Sequence, residues 1–348
     1  MRDVVLDDRA HSILKSIVTH HILTGEPVGS RTIAKLTPDG LSPASVRNVM
    51  ADLEEMGYLT HPHTSAGRVP TDKGYRYYVD TLLPGAHPGA RDRGVIDRSL
   101  SRVGGELSEA MEVIPKLLSR LTSQVGYLVS PPLRDAVLKH IDFVRLHERK
   151  VLVVFVDRSG VVSNRILDTD EDYGEDDLQK AGRYLVAEFA GMTLSEIRSR
   201  LIRLMAEERA VFDHLLKSVI KLGTGYLDAE TGDRRMVLEG TTNIMKHPEF
   251  SDVETMRRLF QTFEEKHRLL TLLDRCLTPS GVRVVIGSEA DDPTLDKMAL
   301  VASSYHVDEH TTGWLGILGP TRMEYERVVS LVDYISRLFS TLLTRQAL

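Results

Sequence analysis

An arginine beside an asparagine near the start of a helix can read nucleic-acid bases. Arg pairs with the O6 and N7 acceptors of guanine, and Asn with the N6 and N7 positions of adenine. Residues 42–56 contain such a pair. Ser42-Pro43 is an N-cap followed by proline at the first helical position, a strong helix start. Val46, Val49, Met50, Leu53 and Met56 then recur at helical spacing and form a stripe that must face a core. Ala44, Ser45, Arg47, Asn48 and Ala51 fall on the opposite side. The acidic Asp52, Glu54 and Glu55 come later, away from the phosphates they would repel. The free amides of the helix start also suit phosphate.

Such a helix needs a scaffold to aim it. The spacing predicts a first helix over about 8–21, with Ile13, Leu14, Ile17 and Val18 inward. Ser30 is expected to cap a short second helix carrying Ile33, Ala34 and Leu36. After Gly57, residues 58–70 read as a strand, a polar tip and a return strand, that is, a wing. Thr71 can cap a further helix holding Tyr75, Tyr77 and Tyr78. The expected DNA-contacting residues are Ser30, Arg31, Thr32, Ser42, Ala44, Ser45, Arg47, Asn48, His63, Thr64, Ser65 and Arg68. Ser45, Arg47 and Asn48 are expected on bases, and Arg31, Thr64 and Arg68 on the backbone, with Arg68 able to reach a phosphate or the minor groove. Three helices and a hairpin can also be a purely structural module. The Ser-Pro start, second helix and Gly67-Arg68 wing in register favour the DNA reading.

Charge does not advertise this role. The 348-residue chain carries a net charge of −6, and residues 1–80 hold nine Lys/Arg against ten Asp/Glu, a net −1. The DNA reading therefore rests on where charges fall, not on a basic domain. A single cysteine, Cys276, excludes an internal disulfide framework and a cysteine zinc site. The longest apolar run, Val151–Val156, is far below the ~20 residues a membrane helix needs. No signal-peptide pattern opens the chain, so the expected location is the cytoplasm.

Beyond about Leu83, Pro84–Gly94 reads as linker, and helical periodicity resumes over 95–125. Residues 136–146, 150–156 and 161–167 read as an antiparallel meander. The acidic Asp168–Asp177 stretch opens a helical segment running to about Leu227. Mostly helix is expected over 243–276, strands over 282–288, 300–307 and 313–319, and a long C-terminal helix over 322–343. One α+β domain interrupted by a helical insertion accounts for this order. The apolar positions Leu194, Ile197, Leu201, Leu204, Phe212, Leu215 and Leu216 could line a dimer contact or the insertion's own core.

Other motifs carry less. A calcium loop over Asp168–Gly174 fails on spacing, since its glycine would fall on Tyr173 and its bidentate Glu on Gln179. His20, His21, His61 and His63 lack further ligands at metal spacing. Gly313, Gly316 and Gly319 do not form a dinucleotide fingerprint. Arg322 and Tyr325 are expected near a domain interface. No catalytic constellation, metal or cofactor is expected.

The residues resemble the bacterial heat-inducible transcription repressors of the HrcA family. The resemblance is carried by Pro27–Thr32, Ser45–Glu54, Pro62–Arg76, Gly240–Ile244 with Pro248–Phe250, and Gly319–Tyr325. It implies an α+β multidomain chain: a winged helix-turn-helix domain over 1–83, a linker over 84–103, a GAF-like domain over 104–172 and 233–348, and a mainly helical inserted dimerisation domain over 173–232. It also implies homodimers that repress chaperone operons by binding an inverted-repeat operator in double-stranded DNA, with activity modulated by the chaperonin, and no membrane partner. The rival expectation is a small-molecule sensor or enzyme built on the GAF-like region.

Overall fold

The computed structural model describes residues 6–37, 40–62, 67–82, 87–103, 106–147, 149–158, 160–206, 221–223, 234–276, 281–307 and 311–346. Among them no helix is long and apolar enough to cross a membrane.

The N-terminal unit holds α1 (Asp8–Thr24), α2 (Ser30–Leu36), α3 (Pro43–Glu55), a hairpin of β1 (Leu59–Thr60) and β2 (Val69–Pro70), and α4 (Asp72–Leu82). The Asp7 carboxylate accepts from the Ala10 amide and starts α1, and Gly25 at φ +74° stops it. Ile13, Leu14, Ile17, Val18, Ile33, Val46, Met50 and Leu53 form its buried centre, as their spacing predicts. Gly29, not Ser30, occupies the N-cap of α2, and it gives no side-chain cap.

The chain continues into α5 (Ala90–Val103) and α6 (Leu107–Thr122). The linker over 84–103 that the resemblance implies is thus a packed helix from Ala90 on, and the helical periodicity expected from 95 begins five residues earlier. Ile96, Leu100 and Val103 recur at helical spacing and are fully buried against α6 and the C-terminal helix. The Pro-Gly punctuation ends just before this periodicity begins.

A five-stranded antiparallel sheet follows in the order β7-β3-β10-β9-β8. Its strands are β3 (Val125–Val129), β7 (Met236–Glu239), β8 (Val282–Ile286), β9 (Met298–His306) and β10 (Thr312–Pro320). Alternate residues serve opposite layers. Val284, Ile286, Val301, Leu315 and Ile317 pack with α5, α6 and the last helix, α11 (Tyr325–Gln346). Val285, Leu300, Ala302, Trp314 and Leu318 pack on the other side with α9 (Val253–Glu264) and α10 (Lys266–Cys276).

Between β3 and β7, which are hydrogen-bonded neighbours, the chain leaves the sheet and returns. The excursion contains the meander β4 (Leu138–His147), β5 (Lys150–Asp157) and β6 (Val162–Asp168), then α7 (Glu175–Phe189) and α8 (Leu194–Ala206). Here the structure departs from the expected boundary at 172–173. Ile141, Phe143, Val151, Val153 and Phe155 of the meander pack against Leu178, Ala181, Leu185, Phe189, Leu194, Ile197 and Leu201 of the helices. One amphipathic sheet face and two amphipathic helices bury each other, so strands and helices form one inserted unit. The same packing places Leu194, Ile197 and Leu201 in the insertion's own core. Phe212, Leu215 and Leu216 lie outside the described residues.

Replacing the fully buried Phe155 by alanine is expected to cost about 3–5 kcal/mol. Hydrogen exchange should accelerate across 136–206 and not in the five-stranded sheet. Equal acceleration in both would show that the two cores melt together.

Candidate nucleic-acid interface

The N-cap geometry of α3 is as its sequence dictates. Ser42 is extended (ψ 149°), its hydroxyl accepts from the Ser45 amide at 3.1 Å, and Pro43 occupies the first turn. The Ser42 hydroxyl also lies 3.1 Å from the Ser45 hydroxyl, tying the two serines together. Val46, Met50 and Leu53 are buried, which leaves Ala44, Arg47 and Asn48 exposed, with Ser45 and Ala51 half-buried beside them. Ala44, Arg47, Asn48 and Ala51 stand at i, i+3, i+4 and i+7 and so share one face. Arg47 forms no ion pair among the described residues. Arg31 and Thr32, in the first turn of α2, are also exposed, and Ser30 is half-buried. His63, Thr64 and Ser65 lie outside the described residues.

Arg68 behaves differently from its expectation. Its guanidinium donates to Glu54 Oε2 from Nε at 3.0 Å and Nη2 at 2.8 Å, and its side chain is only 15% exposed. His61 Nε2 lies 3.3 Å from the other oxygen of Glu54. The Arg68 amide and carbonyl pair with Val28 at 3.0 Å each. Arg68 therefore holds the wing against α3 instead of reaching outward. Gly67 is required beside it, because a Cβ there would meet the Val28 carbonyl oxygen at 2.5 Å. Lys73 donates to the Met56 carbonyl at 2.8 Å, a cation at the C-terminal end of α3.

Arg322 and Tyr325 lie where the first unit meets the sheet domain, as expected of them, but sequence reasoning supplied neither their partners nor the roles of Asp72, Arg76, Glu249 and Glu289. Arg322 Nη1 donates to the Ile22 carbonyl in the last turn of α1 at 3.0 Å, and its Nε donates to Glu249 at 2.6 Å. Arg76 on α4 clasps both carboxylate oxygens of Glu289 and donates to the Val284 carbonyl at 2.6 Å. The Asp72 carboxylate accepts from the Ser288 amide at 3.0 Å and hydroxyl at 2.8 Å. The Tyr75 and Tyr325 rings meet at 6.0 Å between centroids. Asp72, Arg76 and Arg322 sit inside quoted sequence motifs. Their partners lie 73 to 300 residues away, with no periodicity to reveal the pairing.

His21 sits in this junction, 2.7 Å from the Tyr75 hydroxyl. Burial, reinforced by the nearby Arg322 charge, lowers its pKa from 6.5 to about 4; Glu249 opposes the shift and His20 adds to it. Glu249 is itself held below the usual carboxylate range. Burial pushes it up, but the Arg322 hydrogen bond and charge outweigh that.

The HrcA protein C-terminal domain family matches residues 108–329. The heat-inducible transcription repressor HrcA of Geobacter sulfurreducens is 40% identical over 338 residues, covering 97% of this chain and 98% of that one. The chain belongs to the HrcA family of heat-inducible transcription repressors. The Syntrophobacter fumaroxidans HrcA is 37% identical over 339 residues, with 97% of each chain covered. A crystal structure of a hypothetical protein at 2.2 Å shares the fold, with TM-score 0.63 and 24% identity over 98% of this chain and all of that one. HrcA membership places the chain among transcription regulators of the heat-shock response, not among enzymes.

Within this HrcA chain the low His21 pKa makes the junction sensitive to acid. The ring is neutral in the docked state down to about pH 4 but gains a proton near pH 6.5 once released. The stabilisation is therefore complete above pH 6.5 and is lost as pH falls through 6.5 toward 4. The melting temperature should drop between pH 7.5 and pH 5, and His21→Gln should flatten that drop. Equal drops in both proteins would assign the effect to another group.

Proposed function

We propose that this chain represses heat-shock chaperone operons from the cytoplasm as a homodimer, each copy placing α3 in the major groove of one half of an inverted-repeat operator. The exposed Ala44-Arg47-Asn48-Ala51 face, with an arginine outside any ion pair among the described residues, carries the reading. In this reading residues 1–83 act as a winged helix and the five-stranded sheet with its helices as a GAF-like domain. The excursion between β3 and β7 acts as the dimerisation unit. Ser45, Arg47 and Asn48 read bases, while Arg31 and Thr32, with Ser30, Ser42, His63, Thr64 and Ser65, touch the backbone. Arg68 serves by positioning the wing.

Support for the dimer comes from the outer face of the meander. Val144, Leu152 and Ile166 are directly paired across the three strands, as are Val156 and Val162 on β5 and β6. Val144, Val162 and Ile166 are 46%, 53% and 53% exposed. An apolar sheet face of this kind favours a second, two-fold related copy. The helical stripe through Leu194 is already used inside the insertion. The apolar cavity between α10 and the sheet measures about 20 Å³, room for a single water, whereas a cleft between the sheet edge and the meander, lined by Ser130, Asn164, Arg234 and Arg235, measures about 650 Å³. Modulation by the chaperonin follows from the family resemblance, and operator footprints with and without chaperonin test it.

Arg47→Ala should cost about 1–3 kcal/mol on operator DNA and relax base preference at one position per half-site. Unchanged affinity and preference in gel shifts would rule out this helix face. Leu152→Asp with Ile166→Asp should convert the dimer to monomer in sedimentation and weaken operator binding; a variant that stays dimeric would place the contact elsewhere.

A further inference from the structure

The helix α5 presents a stripe of arginines that the activity described so far does not use. Arg91, Arg98 and Arg102 stand at i, i+7 and i+11, within about 40° of one line at 3.6 residues per turn. The stripe lies opposite the buried Ile96, Leu100 and Val103. Its Cα atoms extend about 16 Å along the axis. Arg120 from the last turn of α6 and Arg327 from the first turn of α11 close the other side of the same groove, which encloses about 830 Å³. Arg327 is held there by Asp92, 3.2 Å away, the one acidic group lining the groove among the described residues. Arg91, Arg98, Arg102 and Arg120 form no ion pair among the described residues. The groove thus holds five arginines against one aspartate. Gly89, just before α5, also lines it, so the free amides of the first turn of α5 open onto the same space.

We infer that this groove is a second nucleic-acid contact, taking the phosphodiester backbone of duplex DNA that flanks the stretch read by α3. The inference rests on the DNA-binding reading above and extends it. Three observations favour a phosphate backbone over an acidic protein segment. First, every cation is an arginine, whose planar fork grips phosphate oxygens in pairs, and a helix start supplies amides beside them. Second, the stripe is long enough to run beside about five base-pair steps of a duplex lying along it, at roughly 3.4 Å of axial rise each. Third, residues 1–80 are net −1, and with Arg31 their one cation assigned to the backbone they supply little of the counterion release that drives DNA affinity. The groove lies on the element next after that unit, because α5 follows α4 after residues 83–89, and both pack on α11.

The test uses full-length protein and promoter duplexes with long or trimmed flanks, with affinity measured against salt concentration. Arg98→Ala, Arg102→Ala and Arg120→Ala combined should lower affinity for the long duplex about tenfold or more. The same triple variant should reduce the log–log salt slope by about 2 to 3. Trimming the flanks should weaken wild type strongly and the triple variant little. The corresponding triple lysine variant should keep most of the slope, which separates charge from folding. Arg47→Ala should keep the wild-type slope while losing base preference. The inference is overturned if the alanine variant retains the wild-type slope, or if trimming weakens both proteins equally. Failure of wild type to bind any operator duplex would instead overturn the DNA reading on which it stands.

Discussion

The aim of α3 relative to the sheet domain is set at a junction centred on one guanidinium. Arg322 reaches from the turn after β10 to the last carbonyls of α1, with Glu249 balancing its charge from the opposite side. A cation at that position complements the negative end of the α1 dipole and satisfies a carbonyl that lacks a partner in its own helix. Its side chain is 15% exposed and that of Glu249 is 25% exposed, so the pair is only lightly screened by solvent. Removing one partner would strand the other, which is why such a contact is costly to break once formed. Gly25, at positive φ, ends α1 where the guanidinium passes, and a Cβ there would sit 3.1 Å from its central carbon. Around this point Arg76 and Asp72 add polar contacts, and apolar residues of α1, α4 and α11 run into one continuous core.

That continuity explains why the N-terminal unit does not hang from a flexible tether. α5 follows it and packs its apolar stripe onto α6 and α11, so chain connectivity and side-chain packing constrain the same surface. The inserted unit is arranged differently. It leaves and re-enters the sheet between hydrogen-bonded neighbours β3 and β7 and buries a core of its own. The first unit shares its interior with the sheet domain, whereas the insertion keeps its interior to itself.

Much of the first unit was legible because its information is local. A serine before proline, a stripe at helical spacing and a glycine at a chain stop each act within a few residues, and α3 begins where they say. Non-local relations were not legible. The meander and the helices after it look like different domains by composition, yet alternation in one and helical spacing in the other describe two halves of the same interface. The first turn of α5, residues 90–94, was hidden behind Pro-Gly punctuation, while Ile96, Leu100 and Val103 carried the helical period that marks the rest. Arg68 shows the limit of reading a charge by its neighbours in sequence. Its partner Glu54 is 14 residues away on α3, and the pairing turns an apparent DNA contact into a brace.

The shared core between the first unit and the sheet domain has a metrical consequence. In a two-fold assembly, a reading helix fixed to a rigid body acts as one leg of a pair of dividers whose hinge is the dimer axis. Each added base pair moves a half-site along the duplex and rotates it around the axis, with about 10 steps completing a turn. Dividers that cannot open accept one spacing and its whole-turn equivalents, so the grip of Arg322 on α1 would act as a gauge of operator length.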